Sequence, residues 1–297
     1  MAVPRYEHTS SLIFGGLKQD ERSYDDARAV VLPVPFERTT SYVAGTRNGP
    51  REILLASGQV ELWDEETSTG ASALSVYTLP EMEFPFATME AALQEIARVA
   101  GEVLAAGKRL VTLGGEHSVT VPLVAAAAAQ YPGLSVLQID AHADMRESYM
   151  GNPFSHASVM RRVVERARCT QVAIRSLSED EAVALPSLPT TVFYDTTLRE
   201  TGDWIDRVVE SVGDPVYVTI DCDGFDPAIM PAVGTPEPGG LSWREGLALL
   251  RKVFAARRVV ACDLVELSPI PGLVAPNFLC ARLIYKLLTY WSLAPRR

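Results

Sequence analysis

The chain of 297 residues has few cysteines and histidines, and it lacks the long apolar runs and basic clusters that mark several protein classes. Its four cysteines are far apart and form no C-x-x-C pair, which argues against a disulfide framework or a cysteine zinc site. No run of about 18 apolar residues is present, so we expect no membrane span. The net charge of −10 disfavours nucleic acid as a partner and is compatible with a cationic one. The opening segment MAVPRYEHTS lacks the features of a signal peptide, and we therefore expect a cytoplasmic protein.

Short apolar runs alternate with longer amphipathic stretches along the chain. The runs predict strands at 29–34, 109–113, 134–139, 171–174, 191–194, 216–220 and 258–264. The stretches predict helices at 89–106, 119–130, 157–167, 203–211, 243–256 and 278–291. Strands that are apolar on both faces and alternate with helices are typical of a mostly parallel sheet covered on both sides. We expect one α/β domain over residues 1–297, with its chemistry at the carboxyl ends of the strands.

Three of the predicted strands run directly into residues of the types that bind metal ions. Because alternate residues of an extended chain point to one side, the residues after each strand can converge. Four carboxylates at close range cannot stay ionised without cations, and two divalent ions would meet that need. Oxygen-rich ligation with two imidazoles favours Mn²⁺ over Zn²⁺. The six candidate ligands are His117, Asp140, His142, Asp144, Asp221 and Asp223.

The chain resembles the arginase–agmatinase (ureohydrolase) family in several motifs that occur in the family's order. They lie between residues 33 and 271 and include LGGEHS (113–118), DAHAD (140–144), GNPFSHASVMRR (151–162), DCDGFDP (221–227), GTPEPGGLS (234–242) and DLVELSP (263–269). The resemblance implies a three-layer α/β/α sandwich around a mostly parallel sheet of about eight strands. It also implies an enzyme with two Mn²⁺ ions per subunit, and a homo-oligomer that is a trimer or a hexamer.

The same resemblance assigns roles to individual residues. It implies that His117, Asp140, Asp144 and Asp221 bind one ion, and that His142, Asp140, Asp221 and Asp223 bind the other. Glu266 would bind the guanidinium group through two parallel hydrogen bonds. His156 would contact the substrate and handle protons, with Asp144 as a second group able to protonate the leaving amine. Thr235 would help to shape the substrate site.

The implied reaction is hydrolysis of a small cationic guanidino compound to urea and an amine. Agmatine, which would give putrescine in polyamine biosynthesis, is the expected substrate, while aminopropylagmatine and guanidinobutyrate stay open. Arginase is less favoured, because serines stand at positions 176 and 178, where arginases carry aspartates. A formimidoylglutamase is also less favoured, and a catalytically dead metal-binding homologue is the non-enzyme alternative. The segment at 230–233 departs from the agmatinase pattern and could alter the loop that faces the substrate.

Two further residues are open in function at this point. Glu147 and Asp180 could each meet a distal ammonium group of the substrate, although either is equally well a solvated charge of a loop. Of the four histidines, His8 is interpreted as a solvated residue of the N-terminal segment.

Overall fold

The structure is a computed structural model that describes residues 3–4, 6, 12–19, 21–70 and 73–293. His8 and most of the opening segment lie outside the described residues. The strands are β1 (Ala29–Val34), β2 (Trp63–Asp64), β3 (Thr69–Gly70), β4 (Val76–Thr78), β5 (Arg109–Gly114), β6 (Ser135–Ile139), β7 (Arg168–Ile174), β8 (Thr190–Tyr194), β9 (Val216–Asp221) and β10 (Val259–Val265). Eight of them form one sheet, and β2 and β3 form a separate antiparallel pair.

The central sheet is parallel throughout, in the strand order β4-β1-β5-β10-β9-β6-β7-β8. Every residue of β1, β6, β9 and β10 is buried. Strands that are buried on both faces need apolar residues at successive positions, which is why these segments read as continuous apolar runs.

Ten helices connect the strands in the described part of the chain. They are α1 (Glu21–Asp26), α2 (Gly49–Ser57), α3 (Met89–Ala105), α4 (Thr120–Gln130), α5 (Val159–Val163), α6 (Glu179–Ala184), α7 (Asp195–Leu198), α8 (Trp204–Ser211), α9 (Trp243–Ala256) and α10 (Ala275–Leu293). Helices α2, α8, α9 and α10 pack on one face of the sheet, in a core that includes Val31 and Val218. Helices α3, α4 and α5 pack on the other face, with Val30 and Val136. The predicted three-layer α/β/α sandwich with an eight-stranded parallel sheet is therefore confirmed.

Helix α9 shows how the local sequence sets an element boundary. Ser242 is its N-cap and accepts a hydrogen bond from the backbone N–H of Glu245, whose side chain accepts the N–H of Ser242 in return. This reciprocal capping box satisfies two backbone donors that a helix start leaves unpaired. The predicted helix at 243–256 is correct at both ends.

The observed elements differ from the predicted ones mainly where they are short. The helix predicted at 157–167 is reduced to α5, and a 3₁₀ turn at His156–Ser158 precedes it. The last helix begins at Ala275, three residues before the predicted start at 278. The sequence did not predict β4 or α2. None of the helices in the described part of the chain has the length and hydropathy that crossing a bilayer requires.

Candidate metal centre and active-site cavity

The candidate site residues lie at the carboxyl ends of four adjacent strands in the middle of the sheet. Strands β5, β10, β9 and β6 lie side by side and are parallel, so their carboxyl ends meet at one edge. His117 follows β5, Glu266 follows β10, Asp221 ends β9 with Asp223 two residues on, and Asp140, His142 and Asp144 follow β6. All these positions are thus brought to the edge where parallel α/β sheets carry their sites.

A first group of possible ligands surrounds the imidazole of His117. Its Nδ1 lies 3.2 Å from Oδ2 of Asp140, 3.1 Å from Oδ2 of Asp144 and 3.3 Å from Oδ2 of Asp221. The nitrogen is buried, yet none of these contacts has the geometry of a hydrogen bond. A buried nitrogen that faces three carboxylate oxygens without a hydrogen bond to any of them fits a site in which all four atoms are ligands of one cation.

A second group adjoins the first and shares Asp140 with it. The Nδ1 atom of His142 lies 2.9 Å from Oδ2 of Asp223 and 3.7 Å from Oδ1 of Asp140. Ligand atoms of Asp140, His142 and Asp223 lie within 4.8 Å of one another, as do those of His117, Asp140 and Asp221. Because Asp140 offers one oxygen to each group, the geometry fits two neighbouring ions with a shared carboxylate.

Turns after the strands add to the predicted extended backbone in bringing the ligands together. Strand β6 ends at Ile139, but the chain still pairs with the segment after β7, since the N–H of Ala143 donates to the carbonyl oxygen of Ser176 at 3.1 Å. Asp144 then lies in the left-handed region at φ 52°. Asp223 lies in a 3₁₀ turn, where its N–H donates to Oδ1 of Asp221 at 2.9 Å. The N–H of Ala141 donates to Oδ1 of Asp223 at 3.0 Å and links the two segments. Turns and backbone hydrogen bonds therefore help to orient the carboxylates.

The electrostatics of the cluster show that it attracts positive charge. Burial, reinforced by the charge of Asp140, raises the pKa of Asp144 to about 6. Burial and the charge of Asp223 raise the pKa of Asp221 well above its ordinary value. The pKa of His142 rises to about 12, because the nearby carboxylates outweigh the effect of its burial. Carboxylates this close require protons or metal ions between them. The imidazole and carboxylate donors fit divalent metal ions.

Several polar residues inside the sheet support the ligands, and the sequence reading missed them. Nε2 of Gln138 donates to Oδ2 of Asp140 at 2.6 Å, and Nε2 of Gln171 donates to Oε1 of Gln138 at 2.6 Å. Nε2 of His117 lies 2.9 Å from Oγ1 of Thr219, which leaves Nδ1 facing the carboxylates. Such outer contacts fix the orientation of metal ligands. Their sequence signal is an uncharged polar residue within an otherwise apolar strand.

Glycine at position 115 permits the close approach of two loops beside the site. A Cβ atom at Gly115 would lie 2.2 Å from the carbonyl oxygen of Phe36. The N–H groups of Gly115 and Glu116 donate to the carbonyl oxygens of Val34 and Phe36 at 2.9 and 2.8 Å. The segment after β5 therefore packs directly against the segment after β1, and only glycine fits there.

Glu266 is held rigidly beside the first group of ligands. Its backbone is in the left-handed region at φ 64°, and its Oε1 accepts the backbone N–H of His117 at 2.6 Å. Burial raises the pKa of the Glu266 carboxyl group to about 8. A residue that is strained, buried and short of charge compensation is a candidate for binding a cationic ligand.

A cavity of about 190 Å³ opens over the two groups of ligands. It is lined by His117, His142, Asp144, His156, Asp221, Asp223, Thr235 and Glu266, which are the predicted site residues apart from Asp140. Asp140 is fully buried. The ring nitrogens of His156 lie 3.3 Å from Oγ1 of Thr39 and 3.2 Å from Oγ of Ser41, and Tyr149 packs edge-on against the ring.

The remaining sequence interpretations have mixed outcomes. Ser176 lines the cavity, and its hydroxyl donates to Glu237 at 2.9 Å, whereas Ser178 caps α6. Met230 and Ala232 are fully buried in the core, and Gly234 and Thr235, which follow them, line the cavity, so an effect of segment 230–233 on this loop stays a prediction.

Glu147 is engaged in ion pairs outside the cavity. Arg161 lies 2.8 Å from one of its oxygens and Arg162 lies 2.7 Å from the other. Neither Glu147 nor Asp180 is among the described residues that line the cavity. Neither residue is therefore positioned to meet a ligand in the cavity, and the interpretation of both as surface charges fits the structure.

The fold and the site together define a metal-binding α/β/α protein whose ligands gather at the carboxyl ends of a parallel sheet. Residues 27–289 match the model of the arginase family, and the chain belongs to this family. It is similar to an N(1)-aminopropylagmatine ureohydrolase of Synechocystis sp., with 40% identity over 93% of this chain and 92% of the relative. It is also similar to an agmatinase of Bacillus anthracis, with 32% identity over 84% of this chain and 86% of the relative.

Among solved structures, the chain resembles the agmatine ureohydrolase of Thermoplasma volcanium. The TM-score is 0.84 and the identity is 31%, and the alignment covers 95% of each chain. These relatives confirm the resemblance to the agmatinase-like branch of the family.

Proposed function

We propose that the chain is a manganese-dependent ureohydrolase that cleaves a linear guanidino amine to urea and an amine. The observation that carries the proposal is the cavity that holds Glu266 and the two groups of metal ligands together. A carboxylate facing the cavity can bind a guanidinium group, and adjacent metal ions can activate water for attack on it. The family membership of the chain supports the same chemistry.

Two ions of Mn²⁺ would be held by the ligand groups described above. His117, Asp140, Asp144 and Asp221 would bind one ion, and His142, Asp140, Asp221 and Asp223 would bind the other. The buried and unbonded Nδ1 of His117 supports the first set, and the short contact of His142 with Asp223 supports the second. Bound ions would supply Lewis acidity and make water a competent nucleophile near neutral pH.

The residues of the chain would position the substrate and move protons. Glu266 would pair with the guanidinium group through two parallel hydrogen bonds, which fixes the direction of its planar face. A cation beside Glu266 would lower the raised pKa of that carboxyl group, so binding and ionisation would reinforce each other. His156 would hold a proton at a ring nitrogen for the leaving amine, with Asp144 as the alternative donor. Thr235, which lines the cavity, would contact the substrate.

Two amines are candidates for the substrate. Agmatine, which would give putrescine, fits the agmatinase-like branch and a cavity that Glu266 lines. N(1)-aminopropylagmatine carries the same guanidino group on a longer amine, and the relative with that activity shares more of this sequence than the agmatinase does.

Urea release from a panel of guanidino compounds tests the proposal. Enzyme loaded with Mn²⁺ would be assayed with agmatine, N(1)-aminopropylagmatine, 4-guanidinobutyrate and arginine, and kcat/KM would be compared. We expect a cationic amine to give the highest value and arginine a much lower one. If no compound on the panel releases urea, the proposal is wrong.

The domain organisation, cellular location and oligomeric state are proposed from other observations. We expect one ureohydrolase domain, a cytoplasmic location and a homo-oligomer, either a trimer or a hexamer. The four cysteines are free and buried, which fits a reducing compartment. Exposed apolar side chains around the start of α10, those of Leu273, Val274 and Phe278, offer a surface for subunit contact. Light scattering on the eluted protein would measure the number of subunits.

A further inference from the structure

A buried carboxylate outside the cavity organises the loop that contacts His156. Glu116 is 0% exposed, and its Oε2 accepts the backbone N–H groups of Arg38 and Thr39 at 2.5 and 2.6 Å. Its Oε1 accepts the hydroxyl of Thr39 at 2.8 Å and the hydroxyl of Ser118. Four donors thus converge on one side chain, and two of them are backbone groups whose direction cannot be reversed.

The hydroxyl of Thr39 has only one hydrogen, and that hydrogen is committed to Glu116. A hydroxyl group can donate once and accept twice. The backbone N–H of His156 donates to Oγ1 of Thr39 at 3.0 Å, which uses one lone pair. The second lone pair faces Nδ1 of His156 at 3.3 Å. A hydroxyl whose hydrogen is already committed can only accept from this ring nitrogen, so Nδ1 must carry the hydrogen.

The other ring nitrogen of His156 is then the proton acceptor. Burial lowers the pKa of His156, so its imidazole is neutral near pH 7 and carries one ring hydrogen. With that hydrogen on Nδ1, Nε2 presents a lone pair 3.2 Å from Oγ of Ser41, a residue that lines the cavity. The hydroxyl of Ser41 can rotate to donate to Nε2 or to turn away from it.

We infer that Glu116 is a positioning residue, which acts through Thr39 to hold His156 as the Nδ1–H tautomer with Nε2 as its proton-accepting atom. The catalytic consequence rests on the proposed function, in which His156 handles protons for the leaving amine. A histidine that accepts and returns protons at one atom works only when the other nitrogen is fixed as a donor. Glu116 does this without touching the substrate.

The variant Glu116→Gln reverses the polarity of the hydrogen-bond chain while keeping its shape. The introduced amide oxygen can still accept the two backbone N–H groups, and the amide nitrogen donates to the hydroxyls of Thr39 and Ser118. The hydroxyl of Thr39 is then free to donate to Nδ1, so His156 should change to the Nε2–H tautomer. Two-bond ¹⁵N–¹H spectra of protein labelled in histidine and loaded with diamagnetic Zn²⁺ would report the change, with His156→Asn assigning the signals.

A pair of variants at Thr39 tests the same link without altering a buried charge. Thr39→Val removes the hydroxyl, and we expect kcat for urea release to fall about tenfold or more with little change in KM. Thr39→Ser restores the hydroxyl and should restore kcat and the Nδ1–H signal. Thr67→Val is the matched control, because its hydroxyl donates to the carboxylate of Asp64 at the same distance, 2.8 Å, away from the cavity.

The outcomes separate this inference from the proposed function. An Nε2–H signal for His156 in the unaltered enzyme, or an unchanged kcat in Thr39→Val, would overturn the inference. Should Glu116→Gln fail to fold, the spectra of the unaltered enzyme and the Thr39 pair still decide the question. If no guanidino compound is hydrolysed, the proposed function fails, whereas the tautomer spectra still support or overturn the proton arrangement.

Discussion

The backbone N–H of His117 donates a hydrogen bond of 2.6 Å to Oε1 of Glu266. One residue thereby joins the proposed metal centre to the proposed guanidinium site, because the imidazole of His117 faces the carboxylates while its backbone holds Glu266. This backbone contact fixes the position of Glu266 relative to the candidate metal ligands. Preorganisation of this kind converts an encounter between two reactants into an event within one complex.

Replacement of Glu266 by glutamine tests its role in binding the guanidinium group. Glu266→Gln keeps an oxygen for the N–H of His117 but removes the negative charge and one acceptor. We expect kcat/KM for the best guanidino substrate to fall about 100-fold, on the order of 3 kcal/mol, with metal content unchanged. Urea assays and metal analysis of the same samples would measure both quantities.

Glu147→Gln is the matched control for this charge removal. Glu147 is exposed and pairs with Arg161 and Arg162 outside the cavity. Its loss should leave kcat/KM within about twofold of the original value, because exposed ion pairs contribute little. Equal losses in the two variants would mean that overall charge, and not the site of Glu266, governs activity.

The shared position of Asp140 predicts unequal metal losses in two aspartate variants. Asp140 belongs to both groups of ligands, whereas Asp223 belongs to the group around His142. Asp140→Asn should therefore remove nearly all bound manganese, while Asp223→Asn should retain about one ion per chain at its higher-affinity position. Elemental analysis of dialysed protein gives the stoichiometry. Identical losses in both variants would contradict a shared ligand.

A buried ion pair far from the cavity predicts an effect on stability. Nζ of Lys286 lies 2.8 Å from Oδ2 of Asp64, and both side chains are almost fully buried. Lys286→Met leaves the carboxylate buried without its partner, and we expect the free energy of unfolding to fall by about 3 kcal/mol. Urea denaturation would measure the loss. The double variant Lys286→Met/Asp64→Asn should lose less than the sum of the two single variants.

The same pair has a defined pH dependence. Burial lowers the pKa of Lys286, but Asp64, Glu66 and Glu65 raise it more, so that the net direction is upward from 10.5. A raised pKa in the folded state gives stability that is present below the unfolded pKa and is lost as the pH rises through the folded pKa. The difference in stability between the original chain and Lys286→Met should therefore be constant near neutral pH and shrink above pH 10.5. A difference that grows in that range would contradict the pairing.

The sequence predicted the fold well where elements are long or fully buried. Strand β1 and helix α9 have the predicted bounds, because continuous apolar runs and a capping box define them locally. Strand β4 was missed because it has three residues and lies at the edge of the sheet. Helix α2 was missed because it begins with Gly49 and Pro50, residues that more often mark a turn.

The sequence was sufficient to predict the candidate site residues whose chemical type and position after a strand indicate their role. Imidazoles and carboxylates after buried strands indicate ligands by type and position, and the structure brings those residues together. Glu116 could not be predicted, because its partner Thr39 is 77 positions away in the sequence and no local pattern joins them. Gln138 is a polar residue within an apolar strand two positions before Asp140, but its partner Gln171 is recognised only when β6 and β7 are side by side.

Replacement of Gln138 tests how much the buried polar residues contribute to the metal affinity of the site. Gln138→Met preserves the length of the side chain but removes the N–H that donates to Oδ2 of Asp140 at 2.6 Å. Because a ligand without this contact can rotate, we expect the affinity for manganese to fall about 10- to 100-fold while the fold persists. Isothermal titration calorimetry with Mn²⁺ would measure the affinity.

Gln171→Met is the comparison for Gln138→Met. Gln171 lies one hydrogen bond further from Asp140 and reaches it only through Gln138. Its replacement should reduce the affinity for manganese less than Gln138→Met does, because the direct donor to Asp140 remains in place. A larger loss in Gln171→Met would mean that packing between β6 and β7 governs the site, since orientation of Asp140 alone predicts the opposite order.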